Sequence, residues 1–253
     1  MLTNLLTNVS KPIIVGHRGS RPENKIQGFT NGVKSGSHMI ECDVRLSKDG
    51  TAIVIHDEKI DRTTTGVGKV NSMNTIELKT YDIPSLNDIA LWLLEPQQQD
   101  ICLAVEIKKL NSSNENSKLV KQVTSVIHEH GIMNRSLIIS FSKTIIMETK
   151  QLMPSIQTGL VYGPLFFNDP VNLSNTCYAD QLWIHHKIVT EDVIQRAKQY
   201  GKAVFAWTVN NKDDVPRLIE IGVTGIVTDF PSMIIEQVNC NNNYYEKRKV
   251  YNA

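Results

Sequence analysis

Residues 181–209, QLWIHHKIVTEDVIQRAKQYGKAVFAWTV, decide the fold. A short apolar strand, QLWIHH, gives way to a helix, TEDVIQRAKQYG, with Thr190 as its N-cap, and AVFAWTV returns as a second strand. The same alternation continues outward. Downstream come the helix KDDVPRLIEIG and the strand TGIVTDFP; upstream, the strand SLIISF follows the helical SKLVKQVTSVIHEHG, and IQTGLVYG follows SKTIIMETKQLMP. Residues 168–175, polar and holding Pro170, read as a loop. Nearer the start, KPIIVGHRG and ICLAVEIKK are apolar runs suited to strands buried on both faces. Strands centred on Ile14, Ile40, Leu103, Leu137, Thr158, Trp183, Phe205 and Ile226 fit an α/β fold of the (β/α)₈ TIM barrel type. A doubly wound sheet is second, because GHRGSRPEN is not the glycine fingerprint that such a sheet would call for.

The segment from Ile40 to Asp57, IECDVRLSKDGTAIVIHD, adds a hairpin arm. Asp49-Gly50 suits a two-residue type I′ turn, which predicts that Lys48 faces Thr51 and Asp43 faces His56. Cys42, Val44 and Leu46 would then oppose Asp57, Ile55 and Ile53, leaving Glu41, Asp43 and His56 on a polar face.

The chain has 253 residues and a formal net charge of +1, so binding to polyanions such as nucleic acid is not favoured. Four dispersed cysteines include no C-x-x-C and suggest neither zinc nor a disulfide framework. No run approaches membrane-spanning length and no secretory leader stands at the N-terminus, which predicts a soluble, cytoplasmic protein without stable membrane insertion. The polar, basic tail at 239–253 reads as a solvated terminus.

Three acids, Glu41, Asp43 and Glu106, stand on core strands, where a carboxylate is costly unless it is paired or binds a cation. Oxygen-only ligation suits one hard divalent ion, Mg²⁺ or Ca²⁺, with Mn²⁺ as a further candidate. The competing reading is an ion network with Arg18, Arg45 and Lys108. His17 falls at the end of the first strand, and with His56 it could serve as general acid and base in a displacement at phosphorus. Arg18 and Lys108 would face the phosphate charge. Phe141 and Trp207, at C-terminal strand ends, are candidates for the substrate wall.

Taken together, HRG (17–19), PEN (22–24), IECDV (40–44), KDG (48–50), VIHD (54–57), VEIK (105–108), WTVN (207–210) and TDFP (228–231) resemble the glycerophosphodiester phosphodiesterase family, in order and over nearly the whole chain. The resemblance implies a metal-dependent barrel that hydrolyses a small-molecule glycerophosphodiester to glycerol 3-phosphate and an alcohol. It assigns His17 and His56 to catalysis, Glu41, Asp43 and Glu106 to the metal, and Arg18 and Lys108 to the phosphate. It also implies a barrel domain at 11–238 with a small insertion at about 58–84, after the second histidine. Lys25 stands where the family has threonine. A lysophospholipase D or sphingomyelinase D-like activity on lipid phosphodiesters is the alternative, and the polar insertion shows little of the apolar rim it would want.

Overall fold

Strand pairing closes a ring in the computed structural model, which describes residues 2–7 and 11–240. Eight parallel strands, β1 (Ile13–Gly16), β2 (Met39–Leu46), β4 (Cys102–Ile107), β5 (Ser136–Ser140), β6 (Gln157–Tyr162), β7 (Gln181–His185), β8 (Ala203–Trp207) and β9 (Gly225–Thr228), pair in sequence, and β1 meets both β2 and β9. The short β3 (Ala52–Val54) lies antiparallel on β2, outside the ring. This is the (β/α)₈ TIM barrel that the strand count predicts. Helices α1 (Leu2–Thr7), α2 (Ile26–Lys34), α3 (Thr75–Thr80), α4 (Leu86–Leu93), α5 (Ser113–Glu129), α6 (Lys143–Leu152), α7 (Pro170–Thr176), α8 (Glu191–Gln199) and α9 (Val215–Glu220) complete the labelled elements, and 231–240 is also helical.

Alternation along each strand divides the core. On β2, Ile40, Cys42 and Val44 pack outward beneath the helices, whereas Met39 points into the barrel. The inner core is largely apolar at its base, with Ile13, Val15, Met39, Ala104 and Leu137, and α1 contributes Leu2 to it. Above that layer Trp183 stacks on Phe205 with centroids 4.7 Å apart. Gly159 makes room for this pair: a Cβ there would stand 2.7 Å from the Trp183 ring. Going up β2 and β4, the inward positions change from apolar to charged, and Asp43 sits beside Glu106 in the parallel register.

Three local expectations fail for identifiable reasons. The hairpin register is offset by one, with Val44 opposite Val54 and Leu46 opposite Ala52, so Asp43 faces Ile55 rather than His56. Gly50 has φ +83°, but Asp49 is not in the left-handed region that a type I′ turn needs. Asp49 instead accepts from the Ser47 hydroxyl at 2.5 Å and from the Thr75 hydroxyl at 2.9 Å, and Ser47 to Thr51 forms a three-residue loop. The polar stretch near Pro170 is helix α7, because Asp169 caps the Asn172 amide at 2.8 Å and proline occupies the first turn, where it costs no hydrogen bond. The N-terminus, read only for targeting signals, carries α1. Of the predicted tail, all but Asn239 and Cys240 lies outside the described residues.

The excursion after β3 has an apolar cluster of its own, built from Ile53, Ile55, Ile60, Val70, Leu78 and Ile83. Lys25 does not cap α2; its ammonium reaches the Asp82 carboxylate at 2.9 Å and the Asp82 carbonyl at 2.8 Å, tying the excursion to the barrel.

Candidate active site

The C-terminal ends of the parallel strands converge on a cavity of about 140 Å³. His17, Arg18, Glu41, His56, Glu106 and Lys108 line it, with Phe141 and Trp207 as aromatic walls. Asp43 lies just beneath, 1 % exposed and bonded to the cations above it. All nine residues singled out in the sequence therefore gather at one place.

The first βα turn builds one side. β1 ends at Gly16, and the His17 amide donates to the Thr228 carbonyl at 2.8 Å, fixing the histidine over the barrel mouth. Arg18 has φ +53° and Asn24 φ +54°, left-handed conformations that non-glycine residues adopt at a cost and that cluster at functional sites. The turn aims the Arg18 amide at Glu41 Oε2, 2.8 Å away. Asn24 holds Asp43 from two directions: its amide nitrogen donates to Oδ2 at 2.8 Å, and its oxygen accepts from the Asp43 amide at 3.1 Å.

Glu41, Asp43 and Glu106 form a set of buried carboxylates with ligand oxygens within 4.8 Å of one another. Lys108 bridges two of them, reaching Asp43 at 2.7 Å and Glu106 at 2.5 Å, and Arg18 Nε lies 3.2 Å from Asp43. The ion network considered from sequence thus exists only in part, through Arg18 and Lys108, because Arg45 turns instead to Glu58 at 3.9 Å and the His56 carbonyl at 2.7 Å, and it leaves a remainder. Three acids face two cations, and Glu41 Oε1 is buried without a hydrogen-bond partner. Burial and the neighbouring Asp43 push the Glu41 carboxyl up to about 8, as expected for an acid short of positive charge. Burial works against ionisation of Asp43 too, but Lys108 and Arg18 overcome it and hold that carboxyl well below the usual range. An all-oxygen donor set with one unpaired buried oxygen fits a hard divalent cation.

Each histidine leans on a carboxylate. His17 Nδ1 is 2.7 Å from Asp229, which also accepts from the Asn210 side chain at 2.6 Å. His56 Nδ1 is 2.6 Å from Asp57. A proton on Nδ1 in each case leaves Nε2 as the reactive nitrogen. The two environments differ in sign. Burial lowers the His17 pKa, but the Asp229 hydrogen bond and the Glu41 charge outweigh it and the net shift is upward. For His56, burial and the Lys108 charge win over Asp43 and Asp57, and the shift is downward.

Behind the lining runs a second tier that sequence reasoning did not assign. Arg62, from the excursion, donates to Asp57 at 2.6 Å and grips Glu23 through both terminal nitrogens, at 2.6 and 3.0 Å. Glu23 in turn holds Arg18 at 3.0 Å. Asn24, Asp57, Asn210 and Asp229 all stood in quoted motifs, adjacent to or in step with residues that had roles. Arg62 had no such signal, because its partners come from two separate loops.

A parallel barrel with carboxylates, two carboxylate-backed histidines and two cations at its C-terminal mouth defines a phosphoester-processing class of site. Over residues 16–233 the chain matches the Glycerophosphoryl diester phosphodiesterase family, and it belongs to that family; it is a phosphodiesterase. A glycerophosphodiester phosphodiesterase of Caldanaerobacter subterraneus subsp. tengcongensis is 31% identical over 246 residues, covering 90% of this chain and 98% of the relative. One from Bacillus altitudinis is 29% identical, covering 87% and 94%. Among solved structures, a phosphodiesterase of Oleispira antarctica in complex with the product sn-glycerol-3-phosphate superimposes with a TM-score of 0.81 at 23% identity, over 90% of this chain and 97% of that one.

Proposed function

We propose that this enzyme hydrolyses glycerophosphodiesters to glycerol 3-phosphate and an alcohol, with one divalent cation at Glu41, Asp43 and Glu106 and with His17 and His56 as the proton-transfer pair. The observation that carries the reading is the placement of two carboxylate-backed histidines beside an acid set that lacks one positive charge. A cation held there by Glu41, Asp43 and Glu106 would offset the phosphate charge and make phosphorus more electrophilic. Arg18 and Lys108 add positive charge on the same side and orient the diester. One histidine takes the proton of the attacking water as the new P–O bond forms. The other gives a proton to the alkoxide as the old P–O bond breaks.

The opposed shifts, each with its carboxylate partner, support a division of these roles. His56, held toward its neutral form, suits the base; His17, kept basic by Asp229, suits the acid. Phe141 and Trp207, set edge to face with centroids 5.6 Å apart, form an apolar wall for the alcohol portion. The barrel at 11–238, with the insertion at about 58–84 supplying Arg62 behind the second histidine, acts as one unit in this reading. The charge balance and the lack of a helix long and apolar enough to cross a membrane among the described residues support a soluble, cytoplasmic enzyme of small-molecule metabolism.

The test is a panel of glycerophosphodiesters assayed with Mg²⁺, Ca²⁺ and Mn²⁺ separately. Release of glycerol 3-phosphate with at least one of these ions is expected, and a panel without turnover would refute the reading. A second reading, lysophospholipase D or sphingomyelinase D-like action, gains support from one feature absent from the insertion: the exposed apolar loop after β6, with Leu165 and Phe167 facing solvent. Faster turnover of lysophosphatidylcholine than of glycerophosphocholine would favour it.

A further inference from the structure

The loop at 163–168, GPLFFN, leaves β6 on the same face of the barrel as the catalytic cavity. It starts at the pocket wall, since a Cβ on Gly163 would stand 3.7 Å from Phe141 and 3.8 Å from Trp207. Phe166, still partly exposed, leans back on the wall, stacking on Phe141 at 6.1 Å and against Tyr162 at 5.1 Å. The Tyr162 hydroxyl reaches the carbonyl oxygens of Phe166 and Asn168. At the far end Asp169 caps α7 and is held by Arg196 at 2.6 Å. With both ends fastened, the tip projects Leu165, 85 % exposed, and Phe167, 99 % exposed.

Single exposed apolar side chains need no explanation, but two of them on one anchored tip, with a third half-exposed ring between, mark an interaction site beside the cavity mouth. The surroundings identify its chemistry. Beside the loop lies a hollow of about 420 Å³ lined by Phe141, Phe166 and Leu173 together with Lys109 and Lys143. Both lysines are exposed and neither makes an ion pair among the described residues, while the nearby acid, Asp169, is already paired with Arg196. Apolar tips flanked by unpaired cations complement an anionic lipid surface, with rings entering the acyl boundary and ammonium groups at the headgroups.

We infer that the 163–168 loop is an interfacial docking element that seats the catalytic mouth on an anionic lipid bilayer. Leu165 and Phe167 enter the interface, and Lys109 and Lys143 meet anionic headgroups. The attachment is peripheral and reversible. It does not depend on the hydrolytic reading, because binding is measured without turnover.

Co-sedimentation of the full chain with sucrose-loaded vesicles tests it, using phosphatidylglycerol mixed with phosphatidylcholine and, in parallel, phosphatidylcholine alone. The wild-type chain is expected to sediment with the anionic vesicles, less with the neutral ones, and less again at high salt. The L165S/F167S double variant should bind about tenfold more weakly or worse. K109Q/K143Q should bind about 25-fold more weakly, at roughly fivefold for each lysine, and lose most of the salt dependence. Both variants should keep the circular dichroism spectrum and Tm of the wild-type chain, showing that they are folded. Failure of the wild-type chain to sediment, equal binding by L165S/F167S, or equal binding to both lipid compositions would overturn the inference. So would a concentration-dependent dimer of the wild-type chain that L165S/F167S abolishes without any vesicle binding, which would assign the loop to a second copy.

Discussion

Arg62 donates through Nε to Asp57 at 2.6 Å, placing a fixed cation behind the carboxylate that orients His56. The same guanidinium spans to Glu23, which steadies Arg18, so one side chain from the excursion supports both the His56 and the Arg18 sides of the mouth. Surface ion pairs contribute little to stability, but a bidentate arginine in a network holds geometry. We predict that R62Q lowers kcat about tenfold with a smaller change in KM and little change in Tm, and that R62K restores part of it. Unchanged kinetics in R62Q would remove the relay from the account.

Asp57 also gives the clearest pH prediction. The Arg62 hydrogen bond first, and the one to His56 next, hold its carboxyl down to about 2. Its unfolded value is near 3.9, so its stabilisation is fully present above about pH 4 and fades as pH falls toward 2. Because Asp57 is partly exposed, the effect is discounted to roughly 1 kcal/mol, or about 2–4 °C in Tm. D57N should melt lower than the wild-type chain at neutral pH, and the gap should close in acid. A gap that stays constant from neutral pH to pH 3 would contradict the pairing.

The unpaired Glu41 oxygen predicts how the acid set responds to cations. Adding Mg²⁺ or Ca²⁺ to chelator-treated wild-type chain should raise Tm measurably, by mass action on the folded state. E41Q replaces the carboxyl that a cation would ionise with an amide that cannot carry charge, and it should lose most of that response, remaining folded but inactive. If wild-type and E41Q chains respond identically, the acids are a structural ion network and no cation site.

Different substrates separate the two histidines. An ester of glycerol phosphate with p-nitrophenol has a leaving group that departs without a proton, so it relieves the need for an acid. H17A should lose about 10²–10⁴-fold on glycerophosphocholine but recover much of its rate on the nitrophenyl ester, whereas H56A should stay slow on both. The reverse pattern would exchange the roles.

Much of this was legible in the sequence because the barrel repeats one instruction. Apolar strands that end in polar residues report the interior and its mouth together, and on β2 and β4 the period of two carries Glu41, Asp43 and Glu106 onto the same inward face. The hairpin register was not legible, since Asp49 carries two competing capabilities: a tolerance of positive φ and a carboxylate that bonds Ser47 and Thr75. The second prevailed, and it depends on an excursion whose position no local pattern reports. His56 still reaches the cavity because pairing ends at Val54, and Arg45 catches its carbonyl at 2.7 Å. The second tier was hidden for a similar reason: Asp229 comes from the opposite end of the chain, 212 residues from His17.

The most direct test of the central claim follows ³¹P NMR of glycerophosphocholine incubated with the purified chain and a divalent cation, beside H17A and H56A. The account predicts that the diester resonance converts to that of glycerol 3-phosphate with the wild-type chain and persists with either variant, each folded by circular dichroism. Conversion by H17A or H56A at a rate near the wild-type one would contradict it.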